Sequence, residues 1–144
     1  MKTTDGWLVK TEPETYSFDD LCRDGKTSWD GVRNYTARNF LRLMKRGDLA
    51  FVYHSGGDKQ IVGICQVEKE AYPDPTVEPG SAEAAKGWVA VEVRPLERLA
   101  RPLPLAELKA EATLRQMEFI RQSRLSVSPV SAAQWQAVVA LARR

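Results

Sequence analysis

Three short stretches carry most of the side chains that could do chemistry: Lys10-Thr11-Glu12-Pro13, Trp29-Asp30-Gly31-Val32-Arg33-Asn34-Tyr35 and Tyr53-His54-Ser55. The second packs two aromatics, a cation, a carboxylate, an amide and a glycine into seven residues that follow neither the helical nor the strand period. Such groups can stack on a planar ring, hydrogen-bond its edge and hold a nearby phosphate. Stacking a base on an aromatic is worth about 1 to 3 kcal/mol whatever the base, whereas amide, hydroxyl and carboxylate groups discriminate its edge. Taking a base out of a duplex costs a few kcal/mol, which stacking and phosphate contacts must offset. Trp29 is the natural platform, and Arg33, Arg38 and Arg42 are candidate phosphate contacts, with Arg124 a further cation.

Catalysis is harder to build from this chain. His54 is the only histidine. No nucleophile elbow accompanies it, and neither cysteine has a context that marks it as reactive. One histidine and two scattered cysteines, Cys22 and Cys65, supply no nitrogen- and sulfur-rich metal set. Neither a metal nor a cofactor is expected, and no residue is assigned a catalytic role. An enzyme acting on a nucleotide or modified base would have to use Glu12, Asp30 or His54 as acid or base. Lys10 and Glu12 fall on the same side of an extended chain, as a surface ion pair or as part of a pocket wall.

The positive charge is unevenly spread. Trp29 to Val62 holds six Lys/Arg against three Asp/Glu and Lys109 to Arg144 six against two, while the remainder carries nine against fourteen. If the two basic segments meet in space they would form a field that steers anions; otherwise they are separately solvated faces. The net charge of +2 says less. At 144 residues the chain is read as one domain, able to bury roughly two-thirds of its unfolded surface without disulfides or metal. No apolar run approaches the roughly 18 residues of a membrane span and no signal-like segment opens the chain, so a soluble, cytoplasmic protein with reduced thiols and no membrane partner is expected.

The elements that must hold these groups can be read in outline. Gly6 to Thr11 suits a strand. Ser17 with Asp20 suits a capping box for a short helix closed by Gly25, and Asn34 can cap a second helix ending before Gly47. In that helix Ala37, Phe40, Leu41 and Met44 form a core face, and Arg38, Arg42 and Lys45 the opposite one. Leu49 to His54, Gln60 to Glu68 and Gly87 to Arg94 read as strands, with Ser55 to Lys59 as a hairpin loop rather than a phosphate cradle, because it leads from strand to strand. Ala71 to Lys86 reads as a long exposed connection. Pro104 can open a helix through Ala110, Thr113 a second reaching about Gln122, and Ser131 with Gln134 a last one through Leu141. Its packing face would be Trp135, Val138, Val139 and Leu141. Ser123 to Pro129 suits a short strand or extended segment. Strands and helices without a regular βαβ alternation favour an α+β fold with a small curved sheet or open barrel.

In order, the motifs Lys10-Thr11-Glu12-Pro13, Trp29 to Tyr35 with Ala37-Arg38-Asn39, Gly47-Asp48-Leu49-Ala50-Phe51, Tyr53-His54-Ser55, Ile61-Val62-Gly63, Ala71 to Thr76 and Arg121 to Val127 resemble an EVE domain. The resemblance runs from Trp7 to about Trp135. It implies a PUA-like α+β fold, a pseudo-barrel of about five to six strands flanked by helices and akin to YTH domains. It also implies a pocket for a modified base of DNA or RNA rather than a catalytic centre. By matching motif the base pocket would draw on Lys10 and Glu12, on Trp29, Asn34 and Tyr35, on Tyr53, His54 and Ser55, and on Arg124, Leu125 and Ser126. At Val77 to Lys86 a short Gly/Ala/Glu loop departs from the longer stretch of that family. A protein-interaction module built on that loop is the remaining alternative.

Overall fold

The protein, described by a computed structural model over residues 6–144, places six strands in one mixed sheet of order β2-β5-β4-β3-β1-β6. Its strands are β1 (Gly6–Thr11), β2 (Thr27–Trp29), β3 (Leu49–His54), β4 (Gln60–Pro73), β5 (Val89–Pro104) and β6 (Val127–Val130). Its helices are α1 (Phe18–Asp24), α2 (Tyr35–Leu43), α3 (Leu105–Ala110), α4 (Glu118–Arg121) and α5 (Ala132–Ala142). β1 runs parallel to β3 and the other pairings are antiparallel. The order ends at β2 and β6, so the pseudo-barrel stays open.

Helices cover both faces of the central strands, which is why β1 and β3 read as nearly unbroken apolar runs. The period of two sends Trp7, Val9, Ala50 and Val52 into one core with Phe18 and Leu21 of α1 and Ala37 and Leu41 of α2. It sends Leu8, Phe51 and Tyr53 into a second with Leu108, Phe119, Val138 and Leu141 of α3 to α5. Full burial of each Val, Leu or Phe among them is worth about 1.5 to 3 kcal/mol. Gly63 is what lets α1 close on the sheet, since a Cβ there would stand 2.5 Å from the Phe18 ring.

The caps form as the sequence implies. Ser17 and Asp20 make a reciprocal capping box, Gly25 ends α1 in the left-handed region at φ 80°, and Asn34 Oδ1 accepts from the Ala37 N–H. Ser131 and Gln134 cap α5 in the same reciprocal way. Asp48 does more than turn the chain: its Oδ2 accepts both the Lys45 N–H at 3.0 Å and the Trp7 indole N–H at 3.0 Å, joining a turn to β1.

Several elements differ from the sequence reading. Thr27–Trp29 is a strand, its period hidden because only three residues pair with β5. β4 and β5 run to 14 and 16 residues through register shifts. Such bulges break strict alternation and so hide the strand continuation. The connection therefore starts at Asp74, and instead of being wholly exposed it buries that carboxylate. The helix expected from Thr113 begins only at Glu118, with Met117 at its cap, because Leu114 and Met117 are buried by the turn that precedes it. Only Val127–Val130 of the extended segment pairs as a strand.

Candidate nucleic-acid interface

The Trp29 segment lines a cleft of about 420 Å³, within the range of small-molecule sites. One wall is Lys10 and Thr11 from the end of β1 with Ser126 beside them; another is Thr15 and Tyr16 before α1; the third runs from Thr27 to Arg33. Trp29 is only 8% exposed: it packs in the core and also lines the cleft, which leaves little of its ring for the stacking platform the sequence suggested. The Lys10 N–H donates to the Ser126 carbonyl at 2.9 Å, which holds the two segments of the first wall together.

A buried carboxylate holds the third wall in place. Asp74 Oδ2 accepts the Gly31 N–H at 2.8 Å and Arg33 Nη1 at 2.9 Å, and its Oδ1 accepts the Thr76 N–H at 2.7 Å. Gly31 takes φ 78°, a conformation that disfavours a side chain. Burial pushes the Asp74 pKa up, but the hydrogen bonds from Thr76, Arg33 and Gly31 outweigh it and leave the group below its ordinary value. The neighbouring Asp30 goes the other way: burial, then the Asp74 charge, raise its pKa.

The remaining expected residues are distributed over adjoining depressions. Lys10 also lines a second cleft of about 290 Å³ with Tyr53 and Ser55. Asn34, Arg124 and Leu125 line a third of about 340 Å³, which meets the second at Ser123. Glu12 and His54 lie in a fourth with Glu14 and Asp58, which shares no lining residue with the others. Thus Lys10, Trp29 and Ser126 come together with Arg33, and Tyr53 and Ser55 sit across Lys10 from them. Glu12 and His54 stand apart.

Several side chains are already occupied. Asn34 Oδ1 is the α2 cap. His54 Nε2 accepts the Phe18 N–H at 3.1 Å, and burial lowers its pKa, so the neutral ring serves as an acceptor for the start of α1. Tyr35 is 53% exposed and stacks on Trp88 with ring centroids 5.0 Å apart, beneath the Arg38 guanidinium. Arg38 and Arg42 donate to the carbonyls of Lys86 and Gly87 at 2.7 and 2.9 Å. The Lys10 ammonium donates to the Ser123 carbonyl at 2.9 Å and lies 5.5 Å from the Phe119 ring centre. Burial lowers its pKa.

The sequence reading did not bring Thr15, Tyr16, Thr27 and Ser28 to the cleft, and it singled out Asp30 only as a candidate acid or base. A short edge strand at Thr27–Trp29 was the missing signal, because it turns the residues after it toward β1.

The fold and cleft define the class: an open, six-stranded PUA-like pseudo-barrel flanked by five helices, with a concave polar site beside the end of β1. The EVE domain model matches residues 5–141, and the chain belongs to that family. It is 39% identical to human thymocyte nuclear protein 1, over 94% of this chain and 72% of that protein. A crystallised protein of Pseudomonas syringae is 44% identical with a TM-score of 0.87, covering 94% of this chain and 98% of its own. The human THYN1 protein, crystallised in complex with 5-methylcytosine-containing DNA, superposes with a TM-score of 0.88 at 36% identity, covering 96% and 98% of the two chains.

Proposed function

We propose that this protein is a non-catalytic reader of a modified base in nucleic acid, with 5-methylcytosine in DNA as the leading ligand. The observation that carries the reading is the joining of Trp29, Asp30, Lys10 and Ser126 in one base-sized cleft, on the fold whose human member is crystallised with 5-methylcytosine-containing DNA. Cytosine offers an exocyclic amine that a carboxylate can accept, and Asp30 is the group in the cleft suited to it. The Ser126 hydroxyl supplies a donor for its ring carbonyl. Trp29 and Val32 give the 5-methyl group apolar surface. RNA carrying a modified base is the second ligand of the same reading. The location proposed is the cytoplasm, where Cys22 and Cys65, both free, stay reduced.

The test is an anisotropy titration of oligonucleotides containing one 5-methylcytosine, 5-hydroxymethylcytosine or N6-methyladenine against unmodified DNA and RNA. A preference of tenfold or more for one modified base, lost in Asp30→Asn and Ser126→Ala, supports the reading. Equal weak binding to every oligonucleotide, unchanged in both variants, overturns it.

One observation favours a second reading. A carboxyl with a raised pKa in a cleft also suits proton transfer, and Asp30 is such a group. Mass spectrometry of the bound oligonucleotide separates the two: an unchanged mass supports the reader and a converted base supports an enzyme.

A further inference from the structure

The three arginines expected to meet phosphates are engaged within the fold, Arg33 with Asp74 and Arg38 and Arg42 with loop carbonyls. Lys59 and Lys109 are not. Both are exposed, and among the described residues neither ammonium has a hydrogen-bond or ion-pair partner.

They line the second cleft with Lys10, alongside Tyr53, Ser55, Phe119 and Ser123. Among the described residues no carboxylate lines it, whereas the depression on the other side of the same hairpin holds Glu12, Glu14 and Asp58. Lysines on a solvated face are ordinary; three ammonium groups around one concave surface free of acids are not. The backbone fixes this arrangement. The Lys59 carbonyl accepts the Leu105 N–H at 2.9 Å, tying the β3–β4 hairpin to the first residue of α3, whose last turn carries Lys109. Lys10, held by the Ser123 carbonyl, lines both this cleft and the Trp29 cleft, so an anion seated here lies one side chain away from a base seated there.

We propose that Lys59 and Lys109, with Lys10, form the phosphate contact for the DNA strand whose base enters the Trp29 cleft, a role that rests on the reader function above. The ammonium groups act as point charges on the phosphate oxygens, and the serine hydroxyls add neutral donors. This contact is independent of sequence and of modification, since a phosphate carries no base identity.

The test compares Lys59→Gln/Lys109→Gln with wild type, and with Lys45→Gln/Arg46→Gln as a control that removes equal charge from the exposed turn after α2. Binding to 5-methylcytosine and unmodified duplexes is measured from 50 to 200 mM salt. Each lost phosphate contact lowers the slope of log K against log salt by about 0.9. The Lys59/Lys109 variant is therefore expected to lose about 1.8 from its slope, making it roughly 12-fold less salt-sensitive over that range. Its preference for the modified duplex is expected to stay unchanged, and the control to keep the wild-type slope. An unaltered slope in the Lys59/Lys109 variant overturns the phosphate site even where the preference for 5-methylcytosine stands. A wild type without that preference defeats the reader function instead, and the slope then still decides whether these lysines meet phosphate. An equal fall in the control assigns the effect to net charge and overturns the site.

Discussion

Replacing Asp74 with alanine removes the acceptor that holds the Trp29 segment to the loop after β4. The wild-type side chain has no exposed surface, and its two oxygens take up Gly31, Arg33 and Thr76. Leaving the Gly31 N–H without its acceptor costs about 1 to 3 kcal/mol. The Arg33 contribution is smaller, because its side chain is 38% exposed and water can replace the carboxylate, as for surface pairs worth up to about 1 kcal/mol. The sum is about 1 to 4 kcal/mol. At about 2 to 4 °C per kcal/mol for a domain of this size, the melting temperature should fall by about 2 to 16 °C. Urea unfolding gives the free energy, and NMR titration of the Asp30 carboxyl gives a second readout. Removing the Asp74 charge favours ionised Asp30, so its pKa should fall toward the ordinary value. Because the Asp74 pKa is depressed on folding, its contribution is present above the unfolded pKa of about 3.8 and is lost as pH falls through the folded value. The variant should lack that acid-limb component. A stability within about 0.5 kcal/mol of wild type, with Asp30 titrating unchanged, would refute the latch.

His54 gives a second pH dependence. Its folded pKa lies below the unfolded value of 6.5, so the unfolded chain binds the proton more readily, and stability is complete above 6.5 and declines as pH falls toward the folded pKa. Thermal scans between pH 8 and 5 should show a falling midpoint that is reduced in His54→Gln; an identical slope in the variant contradicts the acceptor role. Gly63→Ala should lower stability by about 1 to 3 kcal/mol, because the new methyl meets the Phe18 ring rather than space. Urea midpoints measure it, and an unchanged midpoint would show that α1 shifts freely.

Local chemistry made much of this fold legible. Ser17, Asn34 and Ser131 announce their helices because a cap is a contact between near neighbours in sequence. The continuous apolar runs of β1 and β3 announce strands buried on both faces. Long-range pairing was not legible: Thr27–Trp29 is a strand only because β5 lies beside it, and Asp74 is buried only because Gly31 and Arg33, over 40 positions earlier, donate to it. The site shows the same division. Motif chemistry singled out Lys10, Trp29 and Ser126, which share a cleft. It could not tell that Arg38 and Arg42 spend hydrogen bonds on the fold, because their acceptors are set by the approach of the Lys86–Gly87 turn.

The central claim is that the Trp29 cleft receives the modified base. NMR titration with a short DNA strand carrying a single 5-methylcytosine tests it most directly. Saturable shifts of the Trp29 indole N–H and of the Asp30 and Ser126 amides, much weaker with cytosine at the same position, are the expected result. Shifts confined to the Glu12–His54 depression, with the Trp29 indole unmoved at saturation, would contradict it.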